Sequence, residues 1–157
     1  MKTSLNIWRN PVHLLAYGFG SGLSPWAPGT AGTAVAVGIY LLLPTMHWSL
    51  YLGFILVTFL VGIWLCGTTS KAAGVHDPGG IVWDEFVGYW LTMFMAPAGW
   101  QWIVGGFVLF RLLDILKPWP IKWADTKVEG GLGIMLDDVI AGIIGALCLQ
   151  AVAVLLP

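Results

Sequence analysis

The amino-acid sequence predicts an all-α, polytopic membrane protein with about four to five membrane helices and polar loops on the cytoplasmic side. The chain is 58% hydrophobic and only 10% charged, with a mean hydropathy of +0.84, whereas soluble domains carry about 25% charged residues. All of its Asp, Glu, Lys and Arg residues fall in three short windows, at 2–9, 71–85 and 111–138. The long stretches between them are rich in Leu, Val, Ile, Trp and Gly, a composition typical of membrane helices.

The length of 157 residues and the net charge of −1 limit the possible functions. One membrane-embedded domain, 1–157, accounts for the length. The absence of a basic run argues against a nucleic-acid partner. Ten Trp residues, many near the ends of apolar segments, are typical of the aromatic belts at membrane interfaces. Cys66 and Cys148 stand alone in apolar segments, which predicts neither a zinc site nor a disulfide framework.

The first two apolar segments predict helices joined by a short turn. The first helix spans about 30–43 and stops at Pro44. It is short for a membrane span, since crossing ~30 Å of hydrocarbon takes ~20 residues, so it is tilted at the surface, re-entrant, or extended at its N-terminal end. The second helix, about 48–66, is long enough to cross and ends near Gly67.

Three further helices are predicted, at about 81–95, 99–116 and 137–156. The third helix follows a Pro-Gly-Gly turn and ends before Pro97. The fourth ends at Lys117, because the residue before a proline disfavours the helical conformation. The fifth begins at the paired acids Asp137 and Asp138 and is apolar to its end.

Positive charges predict which loops face the cytoplasm. The turns that follow the first and third helices carry no Lys or Arg, whereas the N-terminus and the loops 67–80 and 117–136 do. The positive-inside rule therefore places these three segments in the cytoplasm and the C-terminus outside. Every charged window then lies on one face of the membrane.

The second charged window contains three acids, Asp77, Asp84 and Glu85, within nine residues. Asp84 and Glu85 fall in the first turns of the third helix, where adjacent side chains point about 100° apart and line two sides of one site. Acids at a helix start also interact with the helix dipole, but that gains only ~0.3–1 kcal/mol. A charge at mid-bilayer costs at least ~2.5–3.5 kcal/mol, so a functional role is favoured over a structural one.

The third charged window combines bases with acids. Arg111, Asp114 and Lys117 are spaced three apart and share one helix face. They form either a structural ion pair or a clamp for an anion, because Arg offers a planar fork of donors that matches phosphate. Asp137 alone fits a helix N-cap. A second acid beside it, Asp138, exceeds what capping needs.

Five carboxylates are expected at the same membrane face: Asp77, Asp84, Glu85, Asp137 and Asp138. Like charges so close repel each other and raise each other's pKa. A hard divalent cation removes this repulsion, and ligands that are all oxygen suit Mg²⁺, Ca²⁺ or Mn²⁺. Basic Arg111 and Lys117 beside a carboxylate-bound metal indicate a phosphate-bearing substrate.

Two weaker features complete the candidate site. The segment GFGSGLSPWAPGTAGT, which includes Thr30, either offers backbone N–H groups and hydroxyls to an anion or is a flexible loop at the membrane surface. His76 adjoins Asp77 and either donates or accepts a proton in a reaction or has a structural role.

Four blocks of the chain resemble phosphatidylglycerophosphatase A, a bacterial family of membrane phosphatases: GFGSGLSPWAPGTAGT, VHDPGGIVWDEFVG, FRLLDILKPWPI and GGLGIMLDDVIAG. They occur in the family's order and cover most of 18–145. The resemblance implies an all-helical fold and removal of the phosphate from the phospholipid phosphatidylglycerophosphate, giving phosphatidylglycerol. It further implies dependence on Mg²⁺ and a location in the bacterial inner (cytoplasmic) membrane.

The resemblance carries metal and catalytic candidates onto Asp77, Asp84, Glu85, Asp114, Asp137 and Asp138, with Arg111 and Lys117 at matching basic positions. With His76 and Thr30 added to that set, we assign catalysis to Asp84, Glu85, Asp114 and His76, phosphate binding to Arg111, Lys117 and Thr30, and metal binding to Asp77, Asp84, Glu85, Asp137 and Asp138. The number of metals, the oligomeric state, and the choice between water attack and an aspartyl-phosphate intermediate stay open.

A divalent-cation transporter with a carboxylate site at the cytoplasmic face is the alternative function, since acids inside a membrane also mark ion pathways. A transporter predicts acids spread through the depth of the bilayer, whereas the acids of this chain crowd one face.

Overall fold

The computed structural model describes residues 6–156. Within that range the chain forms α-helices and short 3-10 segments, and no strand. The 3-10 segments are Ile7–Arg9 and Gly18–Leu23. The helices are α1 (Pro11–Ala16), α2 (Pro28–Leu42), α3 (Trp48–Ala73), α4 (Trp83–Thr92), α5 (Trp100–Leu116), α6 (Ile121–Lys127) and α7 (Gly130–Leu155). The all-α prediction is confirmed.

Two helices of the described chain, α3 and α7, are long and apolar enough to cross a membrane. Each has 26 residues and contains a window with a mean hydropathy of 2.2. Their outer faces expose large apolar side chains such as Val57, Leu60 and Leu147, a surface suited to lipid. α2 is apolar but has only 15 residues. The predicted count of four to five membrane helices is therefore not confirmed.

α4 differs most from its prediction as a membrane helix over 81–95. It has ten residues, a length of about 15 Å, which is too short to cross a bilayer. Most of its side chains are buried against α2, α3, α5 and α7. Trp83 Nε1 donates a 3.0 Å hydrogen bond to the Thr58 carbonyl oxygen of α3, and Trp90 Nε1 donates one of 3.0 Å to Ala36 of α2. α4 is thus the central helix of the bundle.

The predicted end of the second helix at Gly67 and the predicted start of the fifth at Asp137 are wrong. α3 continues to Ala73, and α7 begins seven residues before Asp137, with Glu129 at the N-cap position. The reason is a close crossing of the two helices. A Cβ added to Gly131 would lie 2.0 Å from the carbonyl oxygen of Ile63 and 2.8 Å from the backbone nitrogen of Gly67. These glycines permit backbone contact and do not terminate the helices.

The loop predicted over 117–136 contains α6, a helix of seven residues, and the first residues of α7. α6 packs against α7 through buried Ile121 and Ala124. The polar ends of α2, α4 and α5 meet, because Gly29 in the first turn of α2 contacts the side chains of Glu85 and Arg111. The second and third charged windows are thereby brought to one end of the bundle.

Candidate active site

Three helices bring carboxylates together at this polar end. α4 contributes Asp84 and Glu85 in its first turn, α5 contributes Asp114 near its C-terminal end, and α7 contributes Asp137 and Asp138 in its third turn. One oxygen from each of Asp84, Glu85 and Asp138 lies within 4.8 Å of the other two, and we call these residues the first carboxylate group. The second carboxylate group, with the same spacing, is Asp114, Asp137 and Asp138. Asp138 belongs to both groups.

A backbone contact between α4 and α7 fixes the separation of these acids. A Cβ on Gly88 would lie 2.9 Å from the carbonyl oxygen of Asp138, and one on Gly142 would lie 2.6 Å from the carbonyl oxygen of Gly88. The two backbones therefore touch about one turn away from Glu85. Larger side chains at these positions would separate the acids of α4 from those of α7.

The carboxylates are buried and incompletely hydrogen-bonded. Glu85, Asp137 and Asp138 expose 8%, 5% and 1% of their surface. Buried polar groups are hydrogen-bonded as a rule, and a buried charge without a partner is strongly destabilising. Four oxygens nevertheless find no hydrogen-bond partner among residues 6–156: Asp84 Oδ1, Glu85 Oε2, Asp137 Oδ1 and Asp138 Oδ2. Such a donor set fits a hard cation.

Burial also changes the protonation of the acids on α4. It raises the pKa of Glu85 to about 8, and the nearby charge of Asp138 adds to this effect. Burial likewise raises the pKa of Asp84 well above its usual value, and the charge of Glu85 raises it further. The pair therefore retains a proton at neutral pH unless a cation favours the ionised form.

Arg111 lies between two acids and a helix N-terminus. Its Nη1 donates a hydrogen bond to Asp114 and is 3.7 Å from Glu85 Oε1. A Cβ on Gly29 would lie 2.9 Å from both terminal nitrogens of Arg111 and 2.4 Å from Glu85 Oε1. The guanidinium thus packs directly on the first turn of α2, where backbone N–H groups and the helix dipole favour an anion.

Lys117 neutralises part of the second carboxylate group. Its Nζ donates hydrogen bonds to Asp137 and, at 3.2 Å, to Asp125, and it lies 3.8 Å from Asp114 Oδ1. Partial burial lowers the pKa of Lys117, but the hydrogen bond and charge of Asp137 outweigh this effect and the pKa is raised overall. Its backbone φ of 44° is in the left-handed region, which is uncommon for a residue with a Cβ and is found at functional sites.

The other predicted site residues lie outside the two carboxylate groups. Asp77 is exposed and belongs to neither. His76 is also exposed, and its Nε2 accepts a 3.3 Å hydrogen bond from the backbone N–H of Gly130. Thr30 is half-buried in the first turn of α2, next to Gly29. The roles assigned to Asp77, His76 and Thr30 stay predictions.

Sequence reasoning missed the residues that bring the functional groups together. Gly29 and Gly88 carry no reactive atom, and their contacts depend on which helices are neighbours. The sequence predicts Asp114 as a catalytic residue, and the structure also places it in the second carboxylate group. The signal for close helix packing was the glycine content, 21 of 157 residues, because small residues let helices approach in a membrane.

The amino-acid sequence matches that of a known family. The sequence model described as Phosphatidylglycerophosphatase A matches residues 14–153. A protein of Escherichia coli (strain K12) named Phosphatidylglycerophosphatase A is 52% identical over 138 residues, 87% of this chain and 80% of its own length. A protein of Haemophilus influenzae with the same name is 49% identical over 148 residues, 91% of this chain and 89% of its own length.

A third relative is named after a different phospholipid. This protein of Bacteroides thetaiotaomicron is 40% identical over 139 residues, 83% of this chain and 86% of its own length, and is provisionally named a phosphatidylinositol-3-phosphatase. No solved structure gives a significant match.

Proposed function

The chain belongs to the phosphatidylglycerophosphatase A family, and from this premise we propose that it removes the terminal phosphate of phosphatidylglycerophosphate, giving phosphatidylglycerol and inorganic phosphate. The observation that carries the proposal is the position of Arg111, whose guanidinium lies against both the first carboxylate group and the first turn of α2. A cationic fork, backbone donors and a set of metal ligands are thus within reach of one phosphomonoester.

Mg²⁺ is the proposed cofactor. The first carboxylate group fits it because its oxygens are hard ligands, converge within 4.8 Å of one another and include three that lack other partners. Asp84, Glu85 and Asp138 are the proposed ligands. When bound, Mg²⁺ acts as a Lewis acid on a phosphoryl oxygen and lowers the pKa of a bound water. The second group is less suited to a cation, because Lys117 already bonds Asp137.

The side chains around the phosphate have distinct proposed roles. Arg111 binds the phosphate and neutralises the charge that develops on the transferring group. Asp114 orients Arg111 and does not act as a base, because one of its oxygens accepts from Arg111 and the other faces Lys117 at 3.8 Å. Thr30 and the backbone of α2 add donors to the phosphate.

His76 is the proposed acid that protonates the leaving glycerol oxygen. Its Nε2 accepts a hydrogen bond from the backbone N–H of Gly130, which leaves Nδ1 as the ring nitrogen that can donate to the leaving oxygen. Its exposure at the polar end leaves it accessible to a lipid headgroup. Asp77, beside it, is proposed as a further metal ligand on the basis of the family resemblance, although it belongs to neither carboxylate group.

The proposed location is the bacterial inner membrane, with several passes and the site on the cytoplasmic face. α3 and α7 satisfy the length and hydropathy of membrane spans. The lysines of 117–127 lie beside the carboxylates in the chain, and positive-inside placement favours the cytoplasm for that segment. The transporter alternative is less well supported, because 86–110 and 139–157 carry no acid that would continue an ion path across the bilayer.

Phosphate release from phosphatidylglycerophosphate in detergent micelles tests the proposal. We expect turnover that requires Mg²⁺, that stops with EDTA, and that is lost in Asp84→Asn. Glu129→Gln, which changes an exposed acid outside both carboxylate groups, is the matched control and should retain activity. Phosphatidylinositol 3-phosphate, run in parallel, should be the poorer substrate. If the folded wild-type protein turns over neither lipid, the phosphatase assignment is refuted and the transporter is favoured.

Acid quenching of the reaction with radiolabelled lipid distinguishes two chemical routes. Label bound to the protein indicates an aspartyl-phosphate intermediate, and its absence indicates direct attack by water.

A further inference from the structure

An apolar groove runs along the outside of the bundle between α2 and α5. It has a volume of about 210 Å³, and all five of its lining side chains are apolar: Ala34, Val37, Ile103, Val104 and Phe107. Val104 is 51% exposed, so the groove opens on the protein surface. In a membrane this surface faces lipid.

The groove continues the helix faces that carry the proposed phosphate site. On α5, Ile103, Phe107 and Arg111 follow one another at intervals of four residues and therefore share a face. On α2, Thr30 and Ala34 are related in the same way. The polar ends of these two helix faces meet, because Gly29 of α2 packs on Arg111. The groove thus leads from Arg111 towards the apolar end of the bundle, over about 12 Å for eight residues of helix.

The geometry points to an acyl-chain site: one fatty acyl chain of the lipid whose phosphomonoester binds Arg111 lies in the groove between α2 and α5. This inference rests on the proposed function. The substrate has an anionic headgroup and apolar chains. The protein offers Arg111 and backbone donors for the headgroup, and the apolar groove beside them for a chain.

The groove is expected to orient the lipid more than to attract it. Membrane lipid is as apolar as the side chains that line the groove, so transfer of a chain into it gains little hydrophobic free energy. A chain held beside α5 instead restricts where the headgroup can lie, and positioning of a reacting group contributes to catalysis without new chemical contacts.

A second cavity, larger than the groove, does not contact the phosphate site. It has a volume of about 480 Å³ and is lined by the turns 43–46 and 93–99 with nearby side chains, none of which is charged. It lies beyond the C-terminal end of α4, whereas Asp84 and Glu85 are at the N-terminal end. Ile103 lines both this cavity and the groove, so the cavity adjoins the end of the groove that is farther from Arg111.

Filling the groove tests the inference. Ala34→Phe introduces a ring between α2 and α5, and Ala151→Phe introduces the same ring at an exposed position near the end of α7. Each protein is assayed on dipalmitoyl phosphatidylglycerophosphate and on its deacylated headgroup. The measured quantity is the ratio of kcat/KM for the lipid to kcat/KM for the headgroup. We expect Ala34→Phe to reduce this ratio roughly tenfold or more, and Ala151→Phe to retain it.

The outcomes separate the inference from the proposed function. A wild-type ratio in a folded Ala34→Phe variant would overturn the acyl-chain site while leaving the phosphatase assignment intact. Absence of activity on both substrates in the wild-type protein would instead overturn the assignment on which the inference rests.

Crosslinking of the wild-type protein gives a second test that does not depend on the folding of a variant. Phosphatidylglycerophosphate with a diazirine on one acyl chain is photolysed with the protein in micelles, and adducts are located by mass spectrometry. We expect adducts within 34–37 or 103–107 that disappear when excess dipalmitoyl phosphatidylglycerophosphate is added. Competed adducts found only on other helices would contradict the inference.

Discussion

A carboxylate oxygen of Glu85 lies within 4.8 Å of one from Asp138, although the two buried side chains come from different helices. Contact between the backbones of Gly88 and Gly142 keeps those helices together near the acids. The fold therefore concentrates negative charge where repulsion is poorly screened, and only protons or a cation relieve it. Protonation and cation binding compete for the same oxygens.

Mg²⁺ binding should tighten as the pH rises from about 6 to about 9. Burial raises the pKa of Glu85 to about 8 and raises that of Asp84 well above its usual value, so Glu85 holds a proton at the lower pH and the metal must displace it. Each proton released strengthens binding about tenfold per pH unit. Isothermal titration calorimetry at several pH values, in buffers that differ in ionisation enthalpy, measures the affinity and the number of protons. An affinity independent of pH would contradict the linkage.

Asp138→Asn should abolish metal binding without unfolding the metal-free protein. Asp138 is shared by both carboxylate groups, so its loss removes a ligand, and we expect kcat to fall by at least roughly 100-fold. Because the substitution also removes a repelling charge, thermal unfolding in EDTA should occur at the wild-type temperature or above it. Glu129→Gln serves as the control for both measurements. A large destabilisation in EDTA would show that Asp138 has a structural role.

Gly29→Ala should lower activity, whereas Gly38→Ala, on the same helix α2, should not. A methyl group at position 29 would lie 2.4 Å from Glu85 Oε1 and 2.9 Å from the terminal nitrogens of Arg111. We expect displacement of that guanidinium and a fall in kcat/KM of roughly tenfold to hundredfold. At Gly38 nothing lies within 4 Å, so alanine should leave activity intact and stabilise the helix by about 0.5–1 kcal/mol. Steady-state kinetics and thermal unfolding distinguish the two; equal effects would refute the close packing at Gly29.

Arg111→Lys should impair catalysis although it preserves the charge. A lysine ammonium cannot bind phosphate through two parallel hydrogen bonds, and it cannot contact Asp114 and a substrate with the same fixed geometry. We expect kcat/KM to fall roughly 100-fold, measured by phosphate release at saturating Mg²⁺. Arg9→Lys changes an exposed arginine far from the acids in sequence and should be neutral. Wild-type kinetics in Arg111→Lys would show that charge alone is sufficient.

The sequence predicts helices well where their limits depend on local chemistry. α2 (Pro28–Leu42) and α5 (Trp100–Leu116) agree with the predicted 30–43 and 99–116 within two residues, because prolines and apolar runs mark their ends. The start of α7 was harder to predict, because glycine often ends a helix, whereas Gly131 lies inside α7 and packs against α3. That distinction depends on its neighbour on α3, which local sequence does not encode.

The candidate site could be predicted in its components but not in its arrangement. Asp84 and Glu85 lie in the first turn of their helix as expected, and Arg111 pairs with Asp114 as their spacing indicates. The division of the acids into two groups, and the bond from Lys117 to Asp137, depend on how α4, α5 and α7 pack. A single sequence contains no direct record of those contacts.

The position of Asp138 on α7 has a consequence for the biogenesis of the protein. Chains emerge from the ribosome N-terminus first, so Asp84, Glu85 and Arg111 are synthesised before Asp138. A nascent chain that has not yet placed α7 in the membrane lacks the acid shared by both carboxylate groups. If Asp138 is a metal ligand as proposed, a chain that terminates before α7 should therefore lack activity.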